Sequence, residues 1–187
     1  MFSDESITLR ALELSDVDML YQWENDISFW QVSNTLTPYS RHVLEQYVLN
    51  AHLDIYSTKQ LRLIIELIKG NKSIGCIDLF DFDPRHKRAG VGILIADKME
   101  QGNGYASAAL SLLINYAFNK LNLNQLFCNI TADNESSLKL FAKHGFKQVG
   151  LKKEWINEGG IWKDEYFLQL LKDPSQGRQK MANEIQK

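Results

Sequence analysis

The sequence predicts a single α/β (α+β) domain, a mixed and mostly antiparallel sheet of about seven strands flanked by about four helices. Three observations carry this. Strand-like and helical periodicities follow one another in the order β-α-α-β-β-β-α-β-α-β-β. Two turn signals, Lys69-Gly70-Asn71-Lys72 and Asn157-Glu158-Gly159-Gly160, each join two β-rich runs into a hairpin. A chain of 187 residues that is 44% hydrophobic can bury one sizeable core but falls short of two average domains.

Residues 7–12 alternate well enough for a short strand. Ser15-Asp16-Val17-Asp18 then supplies a helix N-cap with acids in the first turn, starting a helix over about 16–24. Ser40 precedes a second helix reaching about residue 52, with Val43, Leu44, Tyr47, Val48 and Leu53 at helical spacing. Runs 61–68 and 73–82 form the first hairpin, and Pro84 separates it from 89–95, a strand short and apolar enough to be buried on both faces. A helix over 104–121, a strand over 125–131 and a helix over 134–144 ending at Gly145 follow. Strands 146–155 and 161–171 make the second hairpin, so the domain spans 1–171. The tail 172–187, with Pro174, Gly177 and mixed charge, is expected to be mobile or a weakly docked helix.

Composition excludes several classes. Lys+Arg 21 against Asp+Glu 23 leaves a net charge of -2, with no global basic field for nucleic acid or anionic lipid. Cys76 and Cys128 sit in apolar, strand-like runs without metal-ligand or redox spacing, so reduced, buried thiols and no metal are expected. The N-terminus has neither a basic leader nor an apolar signal-type stretch, and the most apolar helical run, 108–118, is far too short to cross a bilayer. A soluble, cytoplasmic protein without membrane partners is expected.

The informative segment is residues 91–107, a strand, a glycine-rich loop and a helix start. Glycines allow close backbone approach to an anion, and the free N–H groups of a first helical turn point at it with the positive end of the dipole. A Walker loop fails because Tyr105 follows Gly104 where a lysine is needed. A dinucleotide fingerprint is met by Gly102, Gly104 and Ser107, but no acid stands near position 125 to hold a ribose. A loop that needs positive φ without any ligand explains the two glycines alone.

Gln101-x-x-Gly104-x-Ala106, preceded by a buried strand, resembles the Gln/Arg-x-x-Gly-x-Gly/Ala signature of the GNAT acetyltransferases. Residues 133–146, with Asn134, Ser137, Phe141, Gly145 and Phe146, resemble that family's second segment. Within the superfamily the chain is most similar to the branch of bacterial spermidine and ribosomal-protein N-terminal acetyltransferases. The resemblance covers about residues 7–171 and implies acetyl-CoA as cosubstrate. It implies that Gln101, Gly102, Asn103, Gly104, Tyr105, Ala106 and Ser107 cradle the pyrophosphate, and that Ile93, Leu94 and Ile95 pair with the pantetheine arm. Asn134, Ser137, Phe141 and Lys143 complete that set. For Asn134 a plain N-cap is an equally good account, and both roles can hold together.

Acyl transfer from a thioester needs a neutral amine, donors for the developing oxyanion and a proton for the thiolate. The resemblance implies a strand N–H near Leu94 as the oxyanion donor. It places Phe141 where the family commonly has a tyrosine acid, and a phenyl ring has no proton to give. Gly90, in Arg88-Ala89-Gly90, stands where the family often has a glutamate base. Thiolates leave well, so alignment of amine and thioester can carry much of the rate.

Residues 1–40, the acceptor lid in the resembling family, hold seven acids and one base, Arg10. Asp16 and Asp18 are explained by a helix N-terminus, whereas Glu24 and Asp26 at the helix's C-terminal end oppose its dipole, which points to another role. With Trp23, Phe29, Trp30 and Tyr39 nearby they suggest a site for a cationic amine, although such aromatics also serve as core. Asp78 and Asp81 align with acids lining the amine site of the resembling spermidine acetyltransferases. Both can face it only if a bulge or strand end intervenes, and turn chemistry before Pro84 is the other account of Asp81. The expected acceptor is a small-molecule polyamine-like amine. A protein N-terminal or aminoglycoside-type acetyltransferase and a CoA-binding sensor without turnover are the alternatives. Homo-oligomerisation is left open.

Overall fold

The computed structural model describes residues 2–33 and 35–173. The chain begins with β1 (Phe2–Ser3), β2 (Ile7–Arg10), α1 (Val17–Glu24), α2 (Ile27–Ser33), α3 (Arg41–Leu49) and α4 (Ile55–Thr58). The hairpin β3 (Leu61–Leu67) and β4 (Ser73–Asp83) leads to β5 (Arg88–Ile95), α5 (Tyr105–Asn119), β6 (Gln125–Thr131) and α6 (Glu135–Lys143). A second hairpin, β7 (Lys147–Glu158) and β8 (Ile161–Leu171), ends the described chain. The mobility expected of residues 172–187 falls, from residue 174 on, outside the described residues. Lys172 itself is anchored, its Nζ donating to the Phe118 carbonyl at 2.7 Å.

Eight strands form one sheet in the order β1-β2-β3-β4-β5-β6-β8-β7, one more than expected because the two-residue β1 adds to its edge. Neighbours are antiparallel except β5 and β6, and α5 is the crossover that a parallel pair requires. One face is covered by α5 and α6, where Leu63, Ile77, Val91 and Leu126 meet Ala109, Leu110, Leu113 and Phe141. On the other face Ile64 and Cys76 pack against Val17 and Leu20 of α1 and Leu44 and Val48 of α3.

Two helices are missing from the sequence reading for identifiable reasons. Helix α2 buries none of its residues and so shows no apolar stripe, and α4 has four residues, too few for a period to register. The start of α1 also differs. Asp16 is not a side-chain cap but the end of a 3₁₀ turn, where its carboxylate accepts from the Glu13 amide at 2.8 Å and from two Arg10 nitrogens at 2.7 and 2.8 Å. Asp16 is only 5% exposed, so its ion pair ties the turn to β2. Ser40, Asn134 and Gly145 stand where caps were expected, Ser40 and Asn134 accepting the amides of Val43 and Ser137 and Gly145 adopting φ 85°. Among the described residues no helix is long and apolar enough to cross a membrane.

Candidate active site

The site begins where the sheet splits. β5 and β6 pair only over Arg88↔Gln125, Ala89↔Leu126 and Gly90↔Phe127, after which the two strands diverge. β5 keeps its antiparallel partner β4 up to Ile95, so from Val91 onward one edge of β5 is satisfied and the other is open. This corrects the expectation of a strand buried on both faces: Ala89 to Val91 are buried, but Gly92 to Ile95 are half-buried because β6 no longer covers them. A cleft of about 1150 Å³ occupies the split, lined by β5 residues including Ile93 and Leu94.

Beyond Ile95 the loop is built to hold its backbone in place. The Ala96 and Asp97 amides both donate to the Ile74 carbonyl, and Gln101 Nε2 donates to the Ile95 carbonyl at 2.8 Å. Gln101 is therefore a loop brace, and Asn103 is directed to Met99 O and Glu100 Oε2. Gly102 and Gly104 have φ of 80° and 88°, conformations that side-chain-bearing residues rarely adopt. No side chain caps α5, and the first amide bonded inside the helix is that of Ala108, on the Gly104 carbonyl. The preceding amides of the first turn are left for a ligand or solvent. Tyr105 packs partly into the core, and Ser107 Oγ lies 2.8 Å from Nε2 of His144 at the end of α6. Residues 101–107 do not line the cleft; they form an exposed to half-exposed surface beside it.

From the other strand, β6 leads into α6, whose cap Asn134 lines the cleft with Ser137 and Phe141. Phe141 is 3% exposed and meets Phe146 edge-on with centroids 4.9 Å apart, so its ring is wedged in place. Lys143 is exposed in the last turn of α6 and does not reach the cleft. Gly90 is buried, and a Cβ there would lie 2.3 Å from Cε2 of Phe80. The space beside Gly90 is thus filled by an aromatic ring from β4.

One side of the cleft is floored by a cross-strand row: Arg62 on β3 pairs with Asp78 on β4, which pairs with Gly92 on β5. Arg62 Nε and Nη2 donate to the two Asp78 oxygens at 2.8 and 2.9 Å, and Nη1 donates to Glu24 Oε1. Burial alone would lower the Arg62 guanidinium, but Asp78 and its neighbours hold it well above its ordinary value. Trp30 lines the cleft and donates from Nε1 to the Glu24 carbonyl at 2.9 Å, with Trp23 and Phe29 alongside. Asn25 clamps the lid by bonding both backbone groups of Tyr39.

Two expected acids are not brought here. Asp26 accepts the Ser28 amide at 2.9 Å at the start of α2, so it opposes no dipole but favours that of the following helix. Asp81 sits at φ 48° in the register shift between Phe80 and Asp83, exposed and outside the cleft lining. The bulge exists, but it turns Asp81 outward.

Sequence reasoning missed Arg62, whose only signal is a lone base in the run Leu-Arg-Leu-Ile-Ile. It also missed the opposite wall, the row Thr131, Glu165 and Lys152 across β6, β8 and β7. Lys152 Nζ reaches Glu165 Oε2 at 2.7 Å and lies 5.2 Å from the Trp155 ring centroid. Nearby, Lys163 bridges Asp133 and Glu158. Burial pushes the Cys76 and Cys128 thiols, both on the cleft lining, up to about 12.

Comparison with known proteins agrees with this geometry. A family model described as an acetyltransferase (GNAT) domain matches residues 6–147. The chain is 30% identical over 153 residues to the spermidine N(1)-acetyltransferase of Escherichia coli (strain K12), covering 80% of this chain and 77% of that one. It superimposes on the crystal structure of spermidine N-acetyltransferase from Vibrio cholerae in complex with CoA and spermine, with TM-score 0.80 and 23% identity over 90% of this chain and 96% of that chain. A dodecameric structure of the Vibrio cholerae protein matches with TM-score 0.74 and 25% identity over 90% and 95% of the two chains.

Proposed function

The chain belongs to the GNAT acetyltransferases and is an acetyl-CoA-dependent N-acetyltransferase, and from that premise we propose that its acceptor is a polyamine or similar small cationic amine. The observation that carries this is the acidic wall of Glu24 and Asp78 around Arg62, set beside Gly92 on the open strand. Aromatic rings at Trp23, Phe29 and Trp30 add faces for a cation.

The residues present fit acetyl-CoA. The uncapped first turn of α5, with open space where Cβ atoms of Gly102 and Gly104 would stand, suits a diphosphate, and the unpaired edge of β5 suits an amide-bearing arm. Ile93, Leu94, residues 101–107, Asn134, Ser137 and Phe141 would hold it, and it supplies the acetyl thioester. A backbone N–H on the open edge near Leu94 offers the oxyanion a donor. No histidine or tyrosine lines the cleft among the described residues, and its thiols stay protonated at neutral pH. On this reading the chain works by alignment: the walls orient the amine, the carboxylates hold its distal charge, and the amine that reacts is delivered neutral.

Release of free thiol from acetyl-CoA, measured against spermidine, spermine, a monoamine, an aminoglycoside and a peptide amine, tests this. Polyamines are expected to give the highest kcat/KM, with an acceptor KM that rises with salt because charge attraction is screened over about 10 Å at 0.1 M. A preference for the peptide or the aminoglycoside would overturn the acceptor assignment. Self-association belongs to the same reading: β7 is a twelve-residue edge strand that exposes Val149, Leu151 and Trp155, an edge that solution proteins rarely leave open. Light scattering that gives a monomer mass would refute it.

A further inference from the structure

Resting on the cationic-acceptor reading, we propose that Arg62 is a specificity-determining residue: it fixes the acidic wall at a net charge of −1 and leaves Glu24, not Asp78, to receive one ammonium group of the acceptor. The two carboxylates are not equivalent. Both Asp78 oxygens are held by the Arg62 fork, at 2.8 and 2.9 Å, the bidentate arrangement that is hardest to displace. Glu24 gives Arg62 only Oε1. No protein donor among the described residues reaches its Oε2, and no buried side-chain nitrogen or oxygen among them lacks a partner, so Oε2 opens on solvent at the cleft. It is the carboxylate oxygen of this wall that holds no hydrogen bond from the described residues.

The charge count matters because Glu24, Arg62 and Asp78 have side-chain exposures of 16, 17 and 17%. At such depth charges are screened far less than at the surface. The guanidinium between the two carboxylates offsets their mutual repulsion. The other titratable groups facing Arg62 are Tyr47 of α3, its ring 5.7 Å from Arg62 Cζ, and Cys76 of β4. Burial pushes both up to about 12, so neither contributes charge near neutrality. The same guanidinium fastens the last residue of α1 to β3, so it sets where Glu24 stands as well as what surrounds it.

Initial rates with spermidine and with propylamine, across a range of ionic strength, test the assignment on the full chain. Glu24→Gln is expected to raise the spermidine KM by about tenfold or more, as for loss of a hydrogen bond to a charged group, and to change the propylamine KM by less than about threefold. Arg62→Gln takes the wall from a net charge of −1 to −2 and is expected to steepen the salt dependence of kcat/KM for spermidine relative to the wild-type chain. Arg62→Gln/Asp78→Asn restores the net charge of −1 and is expected to return that salt dependence to near the wild-type value and to keep most of the spermidine affinity. This double variant carries the test if Arg62→Gln does not fold. A double variant as impaired as Glu24→Gln, or a spermidine preference that survives Glu24→Gln, overturns the assignment while leaving the cationic-acceptor reading intact. A wild-type chain that turns over amines without preferring spermidine to propylamine overturns that reading itself.

Discussion

Replacing Gly90 by alanine is expected to destabilise the fold by about 1–3 kcal/mol, the usual cost of over-packing a filled site. A Cβ built at Gly90 lies 2.3, 2.4 and 2.7 Å from Cε2, Cζ and Cδ2 of Phe80, where carbon atoms ordinarily meet at about 3.5 Å or more. The ring must withdraw by roughly 1 Å to admit one methyl group. It has little room, since it stands edge-on to Phe127 with centroids 5.9 Å apart and Phe127 in turn meets Phe167 at 5.6 Å. For a chain of this size the cost corresponds to a fall in Tm of about 2–4 °C per kcal/mol. The assay is a double-mutant cycle by urea denaturation. Phe80→Ala alone destabilises through lost contact, but in the Phe80→Ala background Gly90→Ala should cost almost nothing, a coupling of about 1 kcal/mol or more. If Gly90→Ala leaves stability within about 0.5 kcal/mol of wild type, or the two changes add, the ring does not occupy the space and the reasoning fails. The consequence for catalysis is direct: Gly90→Glu is tolerated only with Phe80→Ala, because the ring and a carboxylate compete for one volume.

Other outcomes follow from single residues. A Cβ at Gly104 meets no atom within 4 Å, but Gly104→Val forces a β-branched residue to φ 88°, at about 1–3 kcal/mol, and should abolish the rise in Tm that CoA produces by mass action; an undiminished rise would remove the diphosphate from this loop. Phe141→Ala should cost about 3–5 kcal/mol and weaken CoA binding, whereas Phe141→Tyr should keep or raise turnover; a large loss of rate in the tyrosine variant with CoA affinity intact would contradict the placement beside the thioester. Burial by itself raises the Asp16 carboxyl, but Arg10 and the Glu13 amide outweigh it and hold its pKa below 3.8. Its contribution to stability is therefore complete above pH 3.8 and fades as pH falls through the lower folded value. Asp16→Asn should cost about 3 kcal/mol at neutral pH, with the two stabilities converging in acid; a gap that persists in acid would refute the ion-pair account. With no histidine or tyrosine on the cleft lining among the described residues, kcat/KM for the amine should climb to a basic plateau as neutral amine accumulates; a bell with a limb near neutrality would reveal a catalytic group.

What the sequence determined by itself is what short-range chemistry decides. The periods of β3, β4, α5 and α6, the caps at Ser40, Asn134 and Gly145, the hairpin turns and the Gln101-to-Ser107 loop depend on residues a few positions apart, and each is legible there. The glycine loop and the Asn134 segment were legible enough to indicate the family and its cosubstrate. The limits of that legibility are equally local. Asp26 looked misplaced at the end of α1 because α2, which buries nothing, left no period to show that a second helix begins there. Tertiary structure alone brought Glu24, Arg62 and Asp78 together. Arg62 is 38 residues from Glu24 and 16 from Asp78, and it becomes part of a site only when β3 pairs with β4 and α1 lies across them. Gly90 reads in the sequence as a missing carboxylate, and in space as the room that Phe80 requires. The physical reason is the same in both cases: a charge or a volume has no role until the chain brings its counter-charge or its neighbour within a few ångströms, and strand register, not sequence spacing, sets that distance.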